Sequence, residues 1–319
     1  MSIYIGDIQL RNCVLLAPMS GVSDRPFREI ADECQAGLVV TEMVASRELA
    51  EERTDMVRRA ERPPAGSLFA VQLAGREASW MAEGARIAQD LGADIIDINM
   101  GCPARQVTGG LSGSALMRDL DHAMTLIEAT VAASRVPVTL KMRLGWDETM
   151  MNAPELARRA EAAGIRMITV HGRTRCQFYK GRANWSAIAA VKNSLKAIPL
   201  VANGDVESIA DARSILAASL ADGVMVGRAS YGRPWWPGVL AHLLDSGTGV
   251  PEPGLAREAE LVDRQHRSML SLYGHEHGNR IARKHRGWVV DRKRAEGRRS
   301  AESAAAWRRK LTADTDNDR

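Results

Sequence analysis

Through about residue 230 the chain alternates short apolar, β-branched runs with longer stretches whose apolar residues recur at helical spacing. The β-like runs lie at 13–17, 37–41, 68–73, 94–99, 136–143, 167–171, 198–203 and 222–227. Helical periodicity fills 77–91, 121–134, 153–163 and 208–217, with Ser23 or Asp24, Asp121, Asn152 and Asp205 as candidate N-caps. Strands spaced by roughly thirty residues with helices between them pair in parallel through βαβ crossovers. Eight such units are the count of a closed (β/α)8 barrel.

The alternation stops at a Gly- and Pro-dense stretch with no apolar period, which predicts a linker over 246–254. Helices are expected over 255–273 and 280–294, with Leu261, Met269 and Leu272 facing Ile281, Trp288 and Val289, and a short Ala/Arg-rich one over 301–311. The fold class is therefore α/β: a TIM barrel over 1–245, followed by a small, shortened all-helical C-terminal domain over 255–319 ending in a polar tail.

Charge divides the chain at the same place. The segment from Arg280 to Lys310 carries a net +9, residues 1–279 sum to −3 and the tail 311–319 to −2. A strongly basic segment on a slightly acidic body suits a polyanion-binding surface. The four cysteines (Cys13, Cys34, Cys102, Cys176) have neither CxxC spacing nor a His at zinc spacing, so they read as reduced thiols, without a disulfide frame or metal site. There is no cationic leader with a long apolar run and no stretch of membrane-spanning length, so a cytoplasmic protein is expected. No feature sets an oligomeric state; a monomer is the default.

Polar residues end all eight expected strands: Pro18-Met19-Ser20, Glu42, Gln72, Asn99 with Cys102, Lys141 with Arg143, His171 with Arg173 and Arg175, Asn203-Gly204-Asp205, and Gly227-Arg228. In a (β/α)8 barrel those ends form the active-site face. Cys102 sits between a glycine and a proline at one such end, a turn that cannot continue the strand and that holds a thiol at the mouth. The glycine turns after strands seven and eight, with Arg228, match the place where such barrels bind phosphate. Lys141 needs either a carboxylate or a cofactor anion as partner. The Gln72 amide, donor and acceptor together, suits an imide edge.

Taken in order, Ala17-Pro-Met, Gln72, Asp97-Ile-Asn-Met-Gly-Cys-Pro103, Lys141-Met-Arg143, His171-Gly-Arg-Thr-Arg175, Ala202-Asn-Gly-Asp205, Gly227-Arg228 and Arg280-Ile-Ala-Arg-Lys-His285 resemble the bacterial tRNA-dihydrouridine synthases, most nearly their DusB-like branch. The resemblance covers roughly nine-tenths of the chain. It implies tightly bound FMN, with Pro18, Met19 and Ser20 along the ring and Gln72 on its pyrimidine edge. Lys141 would face the reduced flavin, and His171, Asn203, Gly204, Asp205, Gly227 and Arg228 would hold the ribityl chain and phosphate. It also implies Cys102 as proton donor, Asn99 on the uracil, Arg283 and Lys284 on tRNA, and NADPH or NADH as reductant. Arg173 and Arg175 are further candidates for RNA contact at the barrel rim.

The implied reaction is chemically consistent. Saturating the uracil C5–C6 bond takes a hydride at C6 and a proton at C5, and a base inside folded RNA must first be unstacked. Two other readings share the residues: an FMN barrel acting on a free pyrimidine, as in dihydroorotate oxidation, and a tRNA-binding protein without turnover. The basic C-terminal segment speaks against the first, and Cys102 with Lys141 against the second. After Trp288 the chain departs from the family pattern, with an Arg/Ala-rich segment where apolar helices are usual.

Overall fold

The computed structural model describes residues 2–63, 68–246, 252–295 and Gly297. A parallel sheet closes into a barrel built from β3 (Val14–Leu16), β4 (Leu38–Val39), β5 (Val44–Ala45), β6 (Ala70–Ala74), β7 (Ile95–Met100), β8 (Val138–Arg143), β9 (Met167–His171), β10 (Leu200–Asn203) and β11 (Gly223–Val226). All eight expected strands are present. The second is broken in two, β4 pairing with β3 and β5 with β6. Between them a Val40–Ala70 bridge and the Thr41 N–H to Ala70 carbonyl bond (3.0 Å) close the ring.

A short hairpin of β1 (Tyr4–Ile5) and β2 (Ile8–Gln9) precedes the barrel. It lies against the starts of the strands: Ile3 reaches Gly223, and Gly6 lies over Pro137. That leaves the opposite, C-terminal ends as the mouth.

Residues on both faces of the strands are buried, because helices cover the outside and side chains fill the inside. The outer layer comprises α1 (Arg25–Glu33), α2 (Ser46–Ala50), α3 (Thr54–Ala60), α4 (Ala78–Asp90), α5 (Arg105–Thr108), α6 (Leu120–Ala133), α7 (Ala153–Ala162), α8 (Trp185–Ser194), α9 (Ile209–Ser219) and α10 (Trp236–Ser246). Asp24 caps α1, accepting from the Phe27 N–H at 3.1 Å. Two expected caps are displaced. The cap of α6 is Asp119, not Asp121, because its carboxylate reaches the His122 N–H (2.9 Å) while Asp121 points out to Arg159. Ser208 and Asp211 form a capping box on α9, and Asp205, three residues earlier, turns into the mouth instead.

After α10, α11 (Leu255–Tyr273) and α12 (His275–Ala295) fold back on each other at Gly274, a left-handed position (φ 79°). The first of these matches its expected bounds; the second begins earlier than expected. Leu261, Met269 and Val289 are buried between them, but Leu272, Ile281 and Trp288 are only partly covered. Trp288 turns to the barrel and stacks on Tyr231, ring centroids 4.2 Å apart.

The hairpin is fastened to α1 by several contacts. Glu33 accepts from Arg257 (2.7 Å) and Arg264. Lys284 Nζ donates to the Gly21 carbonyl, and the His285 ring meets Phe27 with centroids 5.7 Å apart. The helix expected over 301–311, with the polar tail, lies outside the described residues, as does 247–251 of the linker. Among the described residues no helix is long and apolar enough to cross a membrane.

Candidate active site

Strand register gathers the polar residues into levels. Gln72 lies opposite Asp97, Asn99 opposite Lys141, and Arg143, His171 and Asn203 stand side by side nearest the mouth. In the deepest level the Gln72 amide donates to Asp97 (2.6 Å) and accepts from Asn99 (2.7 Å), while the Thr139 hydroxyl donates to Asp97 (2.6 Å). Burial pushes the Asp97 carboxyl up, against the pull of the Gln72 and Thr139 bonds.

Asn99 passes the order outward. Its Oδ1 accepts from the N–H groups of Gly101 (3.2 Å) and Cys102 (3.0 Å), which bends the chain out of β7 and sets the thiol residue half-buried at the mouth. Ser114 holds the other side of the turn, donating from its hydroxyl to the Cys102 carbonyl at 2.8 Å. Arg143 Nε donates to the Gly101 carbonyl (2.8 Å), and its NH1 to those of Thr174 and Phe178, both at 2.8 Å. Gln72 and Asn99, expected on ring and base, are thus occupied in fixing the turn.

Lys141 answers the question its sequence position raised. No carboxylate lies within ion-pair distance among the described residues, and its one hydrogen bond is a long 3.4 Å contact to Asn203 Oδ1. Burial, then the nearby Arg143, pull its pKa down to about 8. His171 is held well below its usual range by burial and then by Arg143, Lys141, Arg173 and Arg228. Four cations, only two of them paired with a carboxylate (Arg173 and Arg228, both on Asp205), make this mouth electropositive.

The phosphate-like end is built on Asp205, a non-glycine residue in the left-handed region (φ 55°) after Gly204. A side chain at Gly204 (φ 124°) would meet Ala183 at 2.8 Å. The Asp205 carboxylate accepts from Arg173 (2.5 and 2.9 Å), the Ala183 N–H (2.8 Å) and Arg228 (2.9 Å). Burial raises its pKa, but the Arg173 bonds and the others hold it below the usual value. Arg228 keeps 47% of its side chain exposed beside Gly227 and can meet an anion.

Arg173 cannot meet one in the same way. At 2% exposure, tied to Asp205 and to the carbonyls of Lys180 and Gly181, it lies beneath the rim and faces no phosphate. Expected at the rim as a candidate for RNA contact, it instead braces Asp205. Arg175 lies at the mouth, over the Trp146 ring (4.7 Å) and bonded to Thr108 Oγ1 (3.3 Å). Pro18 and Met19 are half-buried and Ser20 exposed on the turn after β3. Arg283 and Lys284 are exposed on α12, away from these levels.

Two residues escaped sequence reasoning. Tyr179, 49% exposed, sits in the loop after β9 with the guanidinium groups of Arg143 (5.5 Å) and Arg228 (5.3 Å) near its ring. Arg143 was noted only as a strand end, yet it joins the Cys102 turn to that ring. The signal for Tyr179 was an aromatic pair, Phe178-Tyr179, in a polar loop of a chain holding four tyrosines and three phenylalanines.

Comparison with known proteins agrees on one family. The family model described as dihydrouridine synthase matches residues 15–318. A probable tRNA-dihydrouridine synthase of Rhizobium leguminosarum bv. phaseoli is 58% identical over 289 residues, covering 89% of this chain and 87% of that protein. The tRNA-dihydrouridine synthase B of Xanthomonas axonopodis pv. citri is 44% identical over 286 residues, covering 90% and 86%. Among solved structures, morphinone reductase in complex with tetrahydroNAD superposes with a TM-score of 0.53 at 14% identity, over 81% of this chain and 93% of that one, a likeness of fold.

Proposed function

The chain belongs to the dihydrouridine synthase family, and on that premise we infer that this oxidoreductase reduces the C5–C6 bond of specific uridines in tRNA, with FMN as cofactor and NADPH or NADH as reductant. The observation that carries the reading is the pairing of a half-buried thiol, Cys102, on a turn pinned by Asn99, with a half-buried lysine that has no carboxylate within ion-pair distance among the described residues.

The residues fit an anionic flavin. Lys141 has no carboxylate within ion-pair distance among the described residues, Arg228 presents an open guanidinium, and Gly204 and Gly227 let the main chain approach a phosphate. In this reading Pro18, Met19, Ser20, His171 and Asn203 line the ring and ribityl chain, and Asp205 orients Arg228 instead of touching the anion. Bound flavin would supply the hydride for C6 after reduction by the nicotinamide.

This chain's own residues supply the rest. Cys102 holds the proton destined for C5, a role worth about 10²–10⁴ in rate. Gln72 and Asn99 keep its turn in place. Tyr179, with the buried Arg143 guanidinium near its ring, offers a flat face to a base turned out of the RNA stack, and Arg175 borders the entrance. The exposed Arg283, with Lys284 beside it, grips phosphates from α12. Work on tRNA implies a cytoplasmic enzyme.

Two measurements test the proposal together. Purified protein should be yellow and bleach with NADPH, and tRNA from a strain lacking the gene should lose dihydrouridine at defined positions. A colourless protein, or unchanged dihydrouridine in that tRNA, would refute it.

A further inference from the structure

Between the barrel and the helical hairpin lies a cavity of about 260 Å³ that no step above uses. Its floor carries two carboxylates, Asp24 and Glu42, and the Arg28 guanidinium that both attract, each 4% exposed. One Asp24 oxygen caps α1, and one Glu42 oxygen accepts from the Gly21 N–H (2.5 Å). The second Asp24 oxygen, Oδ2, is buried with no donor at ordinary hydrogen-bond distance, and the Tyr273 side chain interacts with the same carboxylate from the cavity wall. Burial, and then repulsion from Glu42, push the Asp24 pKa up to about 7. Helix capping accounts only for its other oxygen.

The rest of the cavity is of a different kind. Tyr273 forms a wall, with the Arg58 guanidinium 4.7 Å from its ring centroid. Arg25, Arg59 and Lys284 contribute cations to the lining, and the exposed Arg283 follows on α12. An acid floor, a flat wall and a cationic rim match the parts of one nucleotide: donor edge, base plane and phosphate. The volume is below the roughly 300–1,000 Å³ of drug-sized sites, which suits one base and not a dinucleotide. Guanine has two adjacent N–H donors on its pairing edge, whereas the uracil donor is flanked by acceptors that a carboxylate repels.

We propose that this cavity is a second nucleotide pocket, which takes an unstacked guanosine of the RNA substrate with its pairing edge on Asp24 and its phosphate on the Arg25 side of the rim. The RNA source rests on the tRNA reading above; the pocket's chemistry does not.

Asp24→Asn tests it, because asparagine caps a helix as well as aspartate does while putting a donor in place of an acceptor. The flavin-loaded full-length protein is titrated with tRNA transcripts in which single guanosines are replaced by inosine, which lacks the 2-amino group. Wild-type affinity should fall about tenfold for inosine at one position, or about 1.4 kcal/mol. Asp24→Asn should lose as much on unmodified tRNA and nothing further on that transcript, with its flavin spectrum unchanged. Arg25→Ala should weaken binding of every transcript alike.

In parallel, guanosine 5′-monophosphate, uridine 5′-monophosphate and NADP⁺ are titrated against the same protein, and only the first should bind in an Asp24-dependent way. If tRNA fails to bind wild type while guanosine monophosphate still does so through Asp24, the RNA source is wrong and the pocket stands. Wild-type affinity of Asp24→Asn for both tRNA and guanosine monophosphate would overturn the pocket, as would Asp24-dependent binding of NADP⁺ in place of guanosine monophosphate.

Discussion

If Lys141 is the counter-charge for the reduced cofactor, affinity for reduced FMN, whose ring is anionic, must depend on pH in a calculable way. Its pKa of about 8 is set by burial and by Arg143, and no carboxylate within ion-pair distance among the described residues offsets them. An anion bound beside it favours the ammonium, so the protein takes up a proton with the cofactor wherever Lys141 was neutral. Below pH 8 the ammonium is already present and affinity is full. As pH rises through 8, affinity falls by up to one log unit per pH unit. Between pH 7 and pH 9 the dissociation constant should rise about tenfold, or about 1.4 kcal/mol.

The assay is anaerobic titration of dithionite-reduced FMN with cofactor-stripped protein, followed by flavin absorbance at constant ionic strength. The window ends at pH 9 so that Arg143, brought down to about 10 chiefly by burial, stays charged. Lys141→Met should bind more weakly at pH 7 and show a flat profile, whereas Cys102→Ala should keep the wild-type slope, which separates the lysine from the thiol. A flat wild-type profile, or an equal slope in Lys141→Met, would refute the assignment.

Three further outcomes are expected. Cys102→Ala should retain FMN and NADPH oxidation but form dihydrouridine about 10²–10⁴ times more slowly, as measured by mass spectrometry of the product tRNA; normal product formation would move the acid elsewhere. Arg283→Ala should weaken tRNA binding and lower the slope of log affinity against log salt by about 0.7–0.9, with flavin content unchanged; an unaltered slope would take this residue off the phosphates. His285 is buried, with Nδ1 facing Gln265 (3.2 Å) and Nε2 unpartnered, and burial, then Lys284, hold its pKa down to about 3. Its unfolded form therefore binds the extra proton, and stability present above about pH 6.5 drains as pH falls. Wild type should lose about 2 kcal/mol more than His285→Asn between pH 7 and pH 5 in urea unfolding; parallel losses would mean that this ring does not resist protonation.

The alternation of apolar runs by itself determined the barrel, because burial on both faces of a parallel strand writes a local signature that needs no partner to be read. Met167–His171 and Leu255–Tyr273 match their expected bounds, and Cys102 stood out because glycine and proline flank it at a strand end. The break in the second strand left no such mark, since Thr41 to Met43 are compatible with strand or bulge until the ring has to close between Val40 and Ala70.

Which charge meets which was decided by tertiary structure alone. Arg173 and Arg175 read alike in the chain, yet one is buried on Asp205 and the other lies over Trp146. Asp205 and Asp121 had the look of caps until Arg173 and Arg159 claimed them, and Trp288 left the helical hairpin for Tyr231. Periodicity records how deeply a residue is buried, a property of its own position. An ion pair or a ring stack depends on where a second residue, tens of positions away, is carried by the fold.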